Sequence, residues 1–457
     1  MPRSTVLRVI HMVFLLPRPS LERLPRFSLT ASDFSSLPSA ADFRQALLTA
    51  LAAAQQRIYI AALYLEQDEA GQEILAAIFA AKQRNPALDI RILVDWHRAQ
   101  RGRIGESKTS CNAAWYREQA SLHAVEVPIY GVPTQTRELF GVLHLKGFII
   151  DELVIYSGAS LNNVYLHKQD KYRFDRYHLI RNMALADCMA SFMLQNICND
   201  EAVFRLDKPV PSTRSIRKEI RAFRSRLEKA HYPLPRQQTC QQGMGVTPIV
   251  GLGKGNPLNR LILQLISHAQ HRLVICTPYF NFPMAVLRAI NRALRRGVEV
   301  TIIVGDKTAN DFFIPESEPF KLIGALPYLY EMNLRRFAKR RQAQIENGRL
   351  NLCLWKDSDN SYHLKGMWCD AQHILLTGNN MNPRAFRLDL ENALLLHDPE
   401  QQLQSQSHSE QQHILQHTTR INHYRQLESV RNYPLKVRTI LTRLSRVRID
   451  RMLNLML

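Results

Sequence analysis

The strongest constraint on this 457-residue chain is that one pattern is written twice. Residues 57–66 (RIYIAALYLE), a helical stretch and residues 89–95 (DIRILVD) are echoed by residues 272–281 (RLVICTPYFN), a helical stretch and residues 298–306 (VEVTIIVGD). Further on, VEVPIYG (125–131) precedes HLKGFIID (144–151), and RLNLCLWK (349–356) precedes HLKGMWCD (363–370), which puts the two histidines 219 residues apart. A repeat decides architecture before any local reading does. Short β-branched runs alternating with helical patterns, such as 72–82 and 283–295, predict an α/β fold with largely buried sheets.

A single core stops growing near roughly 250–300 residues, so the chain should divide in two. The expected parts are an N-terminal extension (1–40), a first half (41–232) that closes on a basic helical segment at 212–229, a linker (233–245), a second half (246–433) and a C-terminal helix (434–457). Seven scattered cysteines, odd in number and never spaced C-x-x-C, argue against a disulfide framework or a zinc knuckle and for a reducing compartment such as cytosol. No run reaches the ~18–20 apolar residues a spanning helix needs; the longest candidate, 6–16, is broken by Arg8 and His11. Sixty Lys and Arg against 40 Asp and Glu leave a net charge of +20, which implies a polyanionic neighbour, either nucleic acid or an anionic membrane surface.

The chemistry is carried by H-x-K-x-x-x-x-D, present as His144, Lys146 and Asp151 and again as His363, Lys365 and Asp370. Residues two apart on a strand share a face, so each His and Lys can address one phosphate. Each copy is followed by G-x-[SN]-[LM]-N, at 158–162 and 378–382, where glycine permits close approach and Asn162 and Asn382 can donate to a phosphate oxygen. One histidine can open a phosphodiester-type centre and form a phosphohistidine, while the other handles protons for the acceptor alcohol. Lys146, Lys365, Asn162 and Asn382 would hold the non-bridging oxygens, a task other phosphoryl enzymes give to Mg²⁺, so no metal and no cofactor are expected. Arg98, Arg101 and Arg103 follow the strand ending at Asp95, where α/β proteins bind ligands, and read equally as diphosphate contacts or as a solvated loop.

These motifs resemble the phospholipase D superfamily from about Arg57 to Asp398. WHRAQRGRIG (96–105), YSGASLN (156–162), VGDKTANDFFIP (304–315), IGALPYLYE (323–331) and TGNNMNPRAFRLDLENA (377–393) resemble its phosphatidylserine synthase family from Gram-negative bacteria. The resemblance implies two phospholipase D-like α/β/α halves with the active site at their interface. It also implies transfer of a phosphatidyl group from CDP-diacylglycerol to L-serine with release of CMP, and non-specific ribosome or nucleic-acid contact. By analogy it makes His144 the nucleophile and His363 the acid/base, while the near-symmetry of the two copies leaves the reverse assignment open. Asp151 and Asp370 complete the catalytic motif, either orienting the histidines or stabilising local structure. Glu391, twenty-eight residues after His363, stands where the superfamily carries a histidine-supporting carboxylate. The first copy has no matching Glu, which leaves Asp175 to support His144.

A nuclease or nucleic-acid-binding protein, and a cardiolipin synthase or phospholipase, share the motifs. After Pro434, residues Val437, Ile440, Leu441, Leu444 and Val447 recur at helical spacing among Lys and Arg. Such a basic amphipathic helix either lies in a membrane interface or docks on the protein core. A lipid substrate favours the membrane, and with it a cytoplasmic enzyme held peripherally at the inner face of the cell membrane.

Overall fold

A computed structural model describes residues 21–101 and 111–446, with side chains described as far as Arg443. Each copy of the repeat builds one mixed sheet. In the first, the order is Phe204–Arg205, Ile129–Val132, Asp89–Asp95, Arg57–Ala61, Gly147–Ile150, Leu153–Ser157, Tyr177–Arg181, Phe34–Leu37. In the second it is Phe27–Ser28, Gly245–Gly251, Glu391–His397, His373–Thr377, Gly366–Cys369, Arg272–Cys276, Glu299–Gly305, Leu350–Trp355, Thr418–Ile421. The register matches across the copies: Arg57 pairs with Asp89 in parallel, and Arg272 with Glu299. Residues read from sequence as an N-terminal extension supply an edge strand to each sheet, Phe27–Ser28 to the second and Phe34–Leu37 to the first.

The two-residue period of the strands decides what each face meets. Phe148 packs on Phe43 of the helix Ala40–Ala53, whereas its neighbour Gly147 faces Met189 of the helix Met183–Met193 on the opposite side of the sheet. In the second sheet Leu273, Ile275 and Leu375 pack against the helices Pro257–His268 and Met284–Arg296, while Val274, Cys276 and Leu376 enter a core shared with the first half. The helices begin where side chains can satisfy their first N–H groups. Ser39, Asp68 and Asn256 each accept a hydrogen bond from the residue three positions on.

Between the halves, the basic segment forms the helix Arg217–Leu227 and buries Ile220, Phe223 and Leu227. From it Arg224 reaches over to the carbonyls of Arg387 and Leu388 in the second half. At the far end, Val437 and Leu441 of the helix Leu435–Arg446 are covered by Tyr328, Leu329, Met332 and Tyr433. That stretch of the C-terminal helix therefore docks on protein, in place of the membrane-facing role expected of it. Residues 447–457, with Val447, and the side chain of Leu444 lie outside the description.

Candidate active site

Each His-Lys pair lies on the extended chain just before a strand, Gly147–Ile150 or Gly366–Cys369. Its backbone is docked on the opposite half. The His144 N–H donates to the Leu390 carbonyl at 2.9 Å, and the His363 N–H to the Phe174 carbonyl at 2.8 Å. The residue after each acceptor carries a carboxylate. Glu391 Oε2 lies 2.9 Å from His144 Nδ1, and Asp175 Oδ2 lies 3.7 Å from His363 Nδ1. The expected pairing is thus corrected: Glu391 serves His144 and Asp175 faces His363, each across the interface. Proximity along the chain is overruled because both motif segments register against the other half.

Aspartate is one methylene shorter than glutamate, and other groups fill the gap. Lys365 Nζ stands 2.8 Å from Asp175 Oδ2 and 2.5 Å from His363 Nδ1, with the Tyr165 hydroxyl at 3.0 Å. Gly158 and Gly378, which the sequence assigns to phosphate approach, let the opposite half's lysine through. A Cβ on Gly158 would sit 2.6 Å from Lys365 Nζ, and one on Gly378 2.9 Å from Lys146 Cγ and 3.7 Å from His144 Cε1. The four motif side chains therefore meet in one cleft.

Lys146 and Lys365 are each 1% exposed, a burial lysines almost never reach unless they are paired. Burial, with Lys365 nearby, pulls Lys146 down to about 7. Burial also lowers Lys365, although Asp175 works against it. Burial and the charges of Lys146, Lys365 and His363 hold His144 well below the ordinary histidine value. Burial and Lys365 bring His363 to about 4. Burial pushes Glu391 well up. For Asp175 burial acts upward, but Lys365 and His363 outweigh it and keep that carboxylate low. Burial disfavours the protonated form of both imidazoles; Lys365 already has Asp175 beside it, and an arriving phosphate supplies the negative charge to Lys146, which donates to the Ala159 carbonyl and the Ser160 hydroxyl.

Of the two readings of Asp151 and Asp370, their contacts favour the structural one. Each sits at positive φ in the tight turn after its motif strand, a conformation Asp tolerates. The Asp151 carboxylate accepts the backbone N–H groups of Gln55, Gln56 and Arg57, and that of Asp370 those of Gln270, His271 and Arg272. Both clamp the entrance of the first repeat strand, which is a scaffold role. Asn162 and Asn382 each use Oδ1 to cap the turn that follows, on the N–H groups of Tyr165 and Ala385.

Asn162 also lines a cavity of about 500 Å³ with Tyr64, Arg98 and Arg101. Arg101 makes a two-point contact with Glu138 at 2.6 and 3.0 Å, and Arg98 lies over the Tyr64 ring. Arg103 lies outside the described residues. Four groups at the His363 end, Asp311, Tyr279, Arg173 and Tyr165, went unread in the sequence. Asp311 Oδ2 is 3.8 Å from His363 Nε2 and accepts from the Tyr279 hydroxyl at 3.2 Å. Its other oxygen is 3.2 Å from Arg173 Nε, whose guanidinium lies over the Tyr165 ring. Counting forward from the register-matched Asp89 and Glu299 would have flagged Asp311, which falls where the first copy has Arg101.

A duplicated α/β unit that brings a His-Lys pair from each copy into one interfacial cleft defines a phospholipase D-like enzyme. Residues 47–165 and 262–413 match the family described as "Cardiolipin synthase, PLD-like domain". The chain is 54% identical to the CDP-diacylglycerol–serine O-phosphatidyltransferase of Escherichia coli K12, over 95% of this chain and 96% of that one. It is 48% identical to the Haemophilus influenzae enzyme of the same name, over 96% and 98%. The crystal structure of phosphatidylserine synthase from Haemophilus influenzae Rd KW20 superposes with a TM-score of 0.93, covering 96% of this chain and 98% of that one. The chain belongs to the phospholipase D-like superfamily and, within it, to the CDP-diacylglycerol–serine O-phosphatidyltransferases, the phosphatidylserine synthases.

Proposed function

We propose that the cleft transfers a phosphatidyl group from CDP-diacylglycerol to L-serine in two displacements, with a phosphatidyl-histidine at His144 between them. In the first, His144 Nε2 attacks the lipid-side phosphorus, an N–P bond forms, the P–O bond to CMP breaks and CMP departs. CMP leaves as a phosphate whose second ionisation is near ~6, so it needs little protonation. In the second, the serine hydroxyl passes its proton to His363 Nε2 and attacks phosphorus, an O–P bond forms and the N–P bond breaks. Two inversions give retention at phosphorus. Lys146 and Lys365 hold the non-bridging oxygens while charge develops.

The observation that supports this division is the unequal support of the two rings. His144 Nδ1 has a carboxylate at 2.9 Å to balance the positive charge a phosphorylated imidazole carries, whereas the carboxylate facing His363 Nδ1 stands back at 3.7 Å. Purified protein given CDP-diacylglycerol is expected to release CMP in a serine-stimulated manner and to form phosphatidylserine. Absence of both from folded protein ends the reading. His363→Ala should accumulate a lipid-protein adduct and His144→Ala none; the reverse pattern exchanges the two roles.

Peripheral association with a cytoplasmic membrane surface belongs to the same proposal. Among the described residues no helix is long and apolar enough to cross a membrane. A groove of about 630 Å³ lined by Phe280, Phe282, Met284 and Phe337 is edged by Arg336, Arg340 and Arg387. An apolar trough with a cationic edge suits acyl chains below anionic phosphates, and it supports this face, rather than the docked C-terminal helix, as the one that meets lipid.

A further inference from the structure

We infer that Asp311 selects the acceptor by binding the ammonium group of serine. The inference rests on the transferase reading above and adds the residue that distinguishes serine from other alcohols. It begins from a break in the internal symmetry. Asp89 and Glu299 hold matching register positions, opposite Arg57 and Arg272. Counting the same number of residues forward from each leads to Arg101 in the first half and Asp311 in the second. The segments that follow these two matched strands thus bring residues of opposite charge to the same count along the chain.

At the His144 end, Arg98 and Arg101 meet at Glu138, and Arg384 donates to the carbonyls of Glu138 and Leu139. At the His363 end the outward nitrogen, Nε2, faces Asp311 at 3.8 Å, enclosed by Tyr165 and Tyr279. Glu391 and Asp175 stand behind the imidazoles on their Nδ1 sides, and Asp311 stands where the acceptor hydroxyl must arrive. An ammonium entering a cleft that already holds Lys146, Lys365 and Arg173 would be repelled without such a counter-charge.

The dimensions agree. The nitrogen and hydroxyl oxygen of serine are three bonds apart, about 3 Å by ordinary bond lengths. A hydroxyl hydrogen-bonded to His363 Nε2 therefore leaves the ammonium within reach of Asp311 Oδ2. Arg173 on the other oxygen and the Tyr279 hydroxyl fix the carboxylate in that direction. An acceptor bearing a phosphate in place of the ammonium would meet repulsion at the same point.

The test compares kcat/KM for L-serine with that for 3-hydroxypropionate, which keeps the hydroxyl and carboxylate but lacks the ammonium. The wild-type enzyme should favour serine, and Asp311→Asn should narrow that preference by about tenfold or more, chiefly through the KM for serine. If Asp311→Asn slows both acceptors by one common factor and leaves the preference intact, Asp311 acts only through His363 and the inference is overturned. Should that variant not fold, competition against serine on the wild-type enzyme decides. Ethanolamine, which keeps the hydroxyl and the ammonium, should inhibit at about tenfold lower concentration than 3-hydroxypropionate; equal or reversed potencies overturn the assignment. A wild-type enzyme that makes no phosphatidylserine would break the transferase reading itself, which separates the two failures.

Discussion

His144 in the first half and Glu391 in the second are joined by a 2.9 Å hydrogen bond across the interface, although 247 residues separate them. With Nδ1–H donating to the carboxylate, Nε2 keeps its lone pair for phosphorus and the ring is held in one orientation. Neither half is a catalyst alone, since each imidazole is supported by the other copy.

Replacing Glu391 by Gln keeps the shape and removes the charge. CMP release should fall by about 10²–10⁴-fold, the range for losing general acid–base and tautomer control, with little change in unfolding temperature. A fall of less than about threefold in steady-state CMP release would separate Glu391 from the chemistry.

Lys146 is held at a cost in the empty cleft. Its folded value of about 7 lies below the unfolded value near 10.5, so at every pH below that unfolded value the folded state is penalised for a charge the unfolded state carries freely. Lys146→Met should therefore raise the free energy of unfolding of the ligand-free protein by about 1–4 kcal/mol, while activity drops by at least about 10²-fold. Chemical denaturation beside a CMP-release assay checks both signs. In the wild type, KM for the lipid substrate should rise as pH is taken above about 7, where Lys146 loses its proton.

The aspartates of the repeated motif predict the opposite phenotype. Asp151→Ala strips acceptors from three backbone N–H groups and should cost about 1–3 kcal/mol of stability. The protein that remains folded should turn over within about threefold of wild type, because this carboxylate lies in the scaffold. A large loss of turnover at unchanged stability, measured by thermal unfolding and initial rates, would return Asp151 to the catalytic set.

Acid should destabilise the protein through buried histidines outside the cleft. Burial depresses His373 to about 4 and His397 to about 2, and their rings lie 5.4 Å apart. Both folded values lie below the unfolded value near 6.5, so the unfolded chain takes up protons first and stability is lost as pH falls through 6.5 toward 4. The slope should be about 1 kcal/mol per pH unit for each group. Urea titrations across this range on wild type and His373→Gln should show a shallower decline in the variant.

Much of this was open to reading along the chain. The doubled strand–helix–strand pattern and the two H-x-K-x-x-x-x-D segments prescribe two matching sheets and a shared phosphate chemistry, because strand period and residue type are local properties. Local spacing could not say which carboxylate meets which imidazole. That was decided by the docking of residue 144 on Leu390 and of residue 363 on Phe174, which reverses the assignment of Glu391 and Asp175. Nor could it separate a membrane-facing helix from a docked one, since Val437 and Leu441 offer the same apolar stripe to lipid or to Tyr328 and Met332. The sequence by itself determined the units and their reactive groups. Tertiary structure decided the partners, because hydrogen bonds and charges act over a few ångströms of space and take no account of distance along the chain.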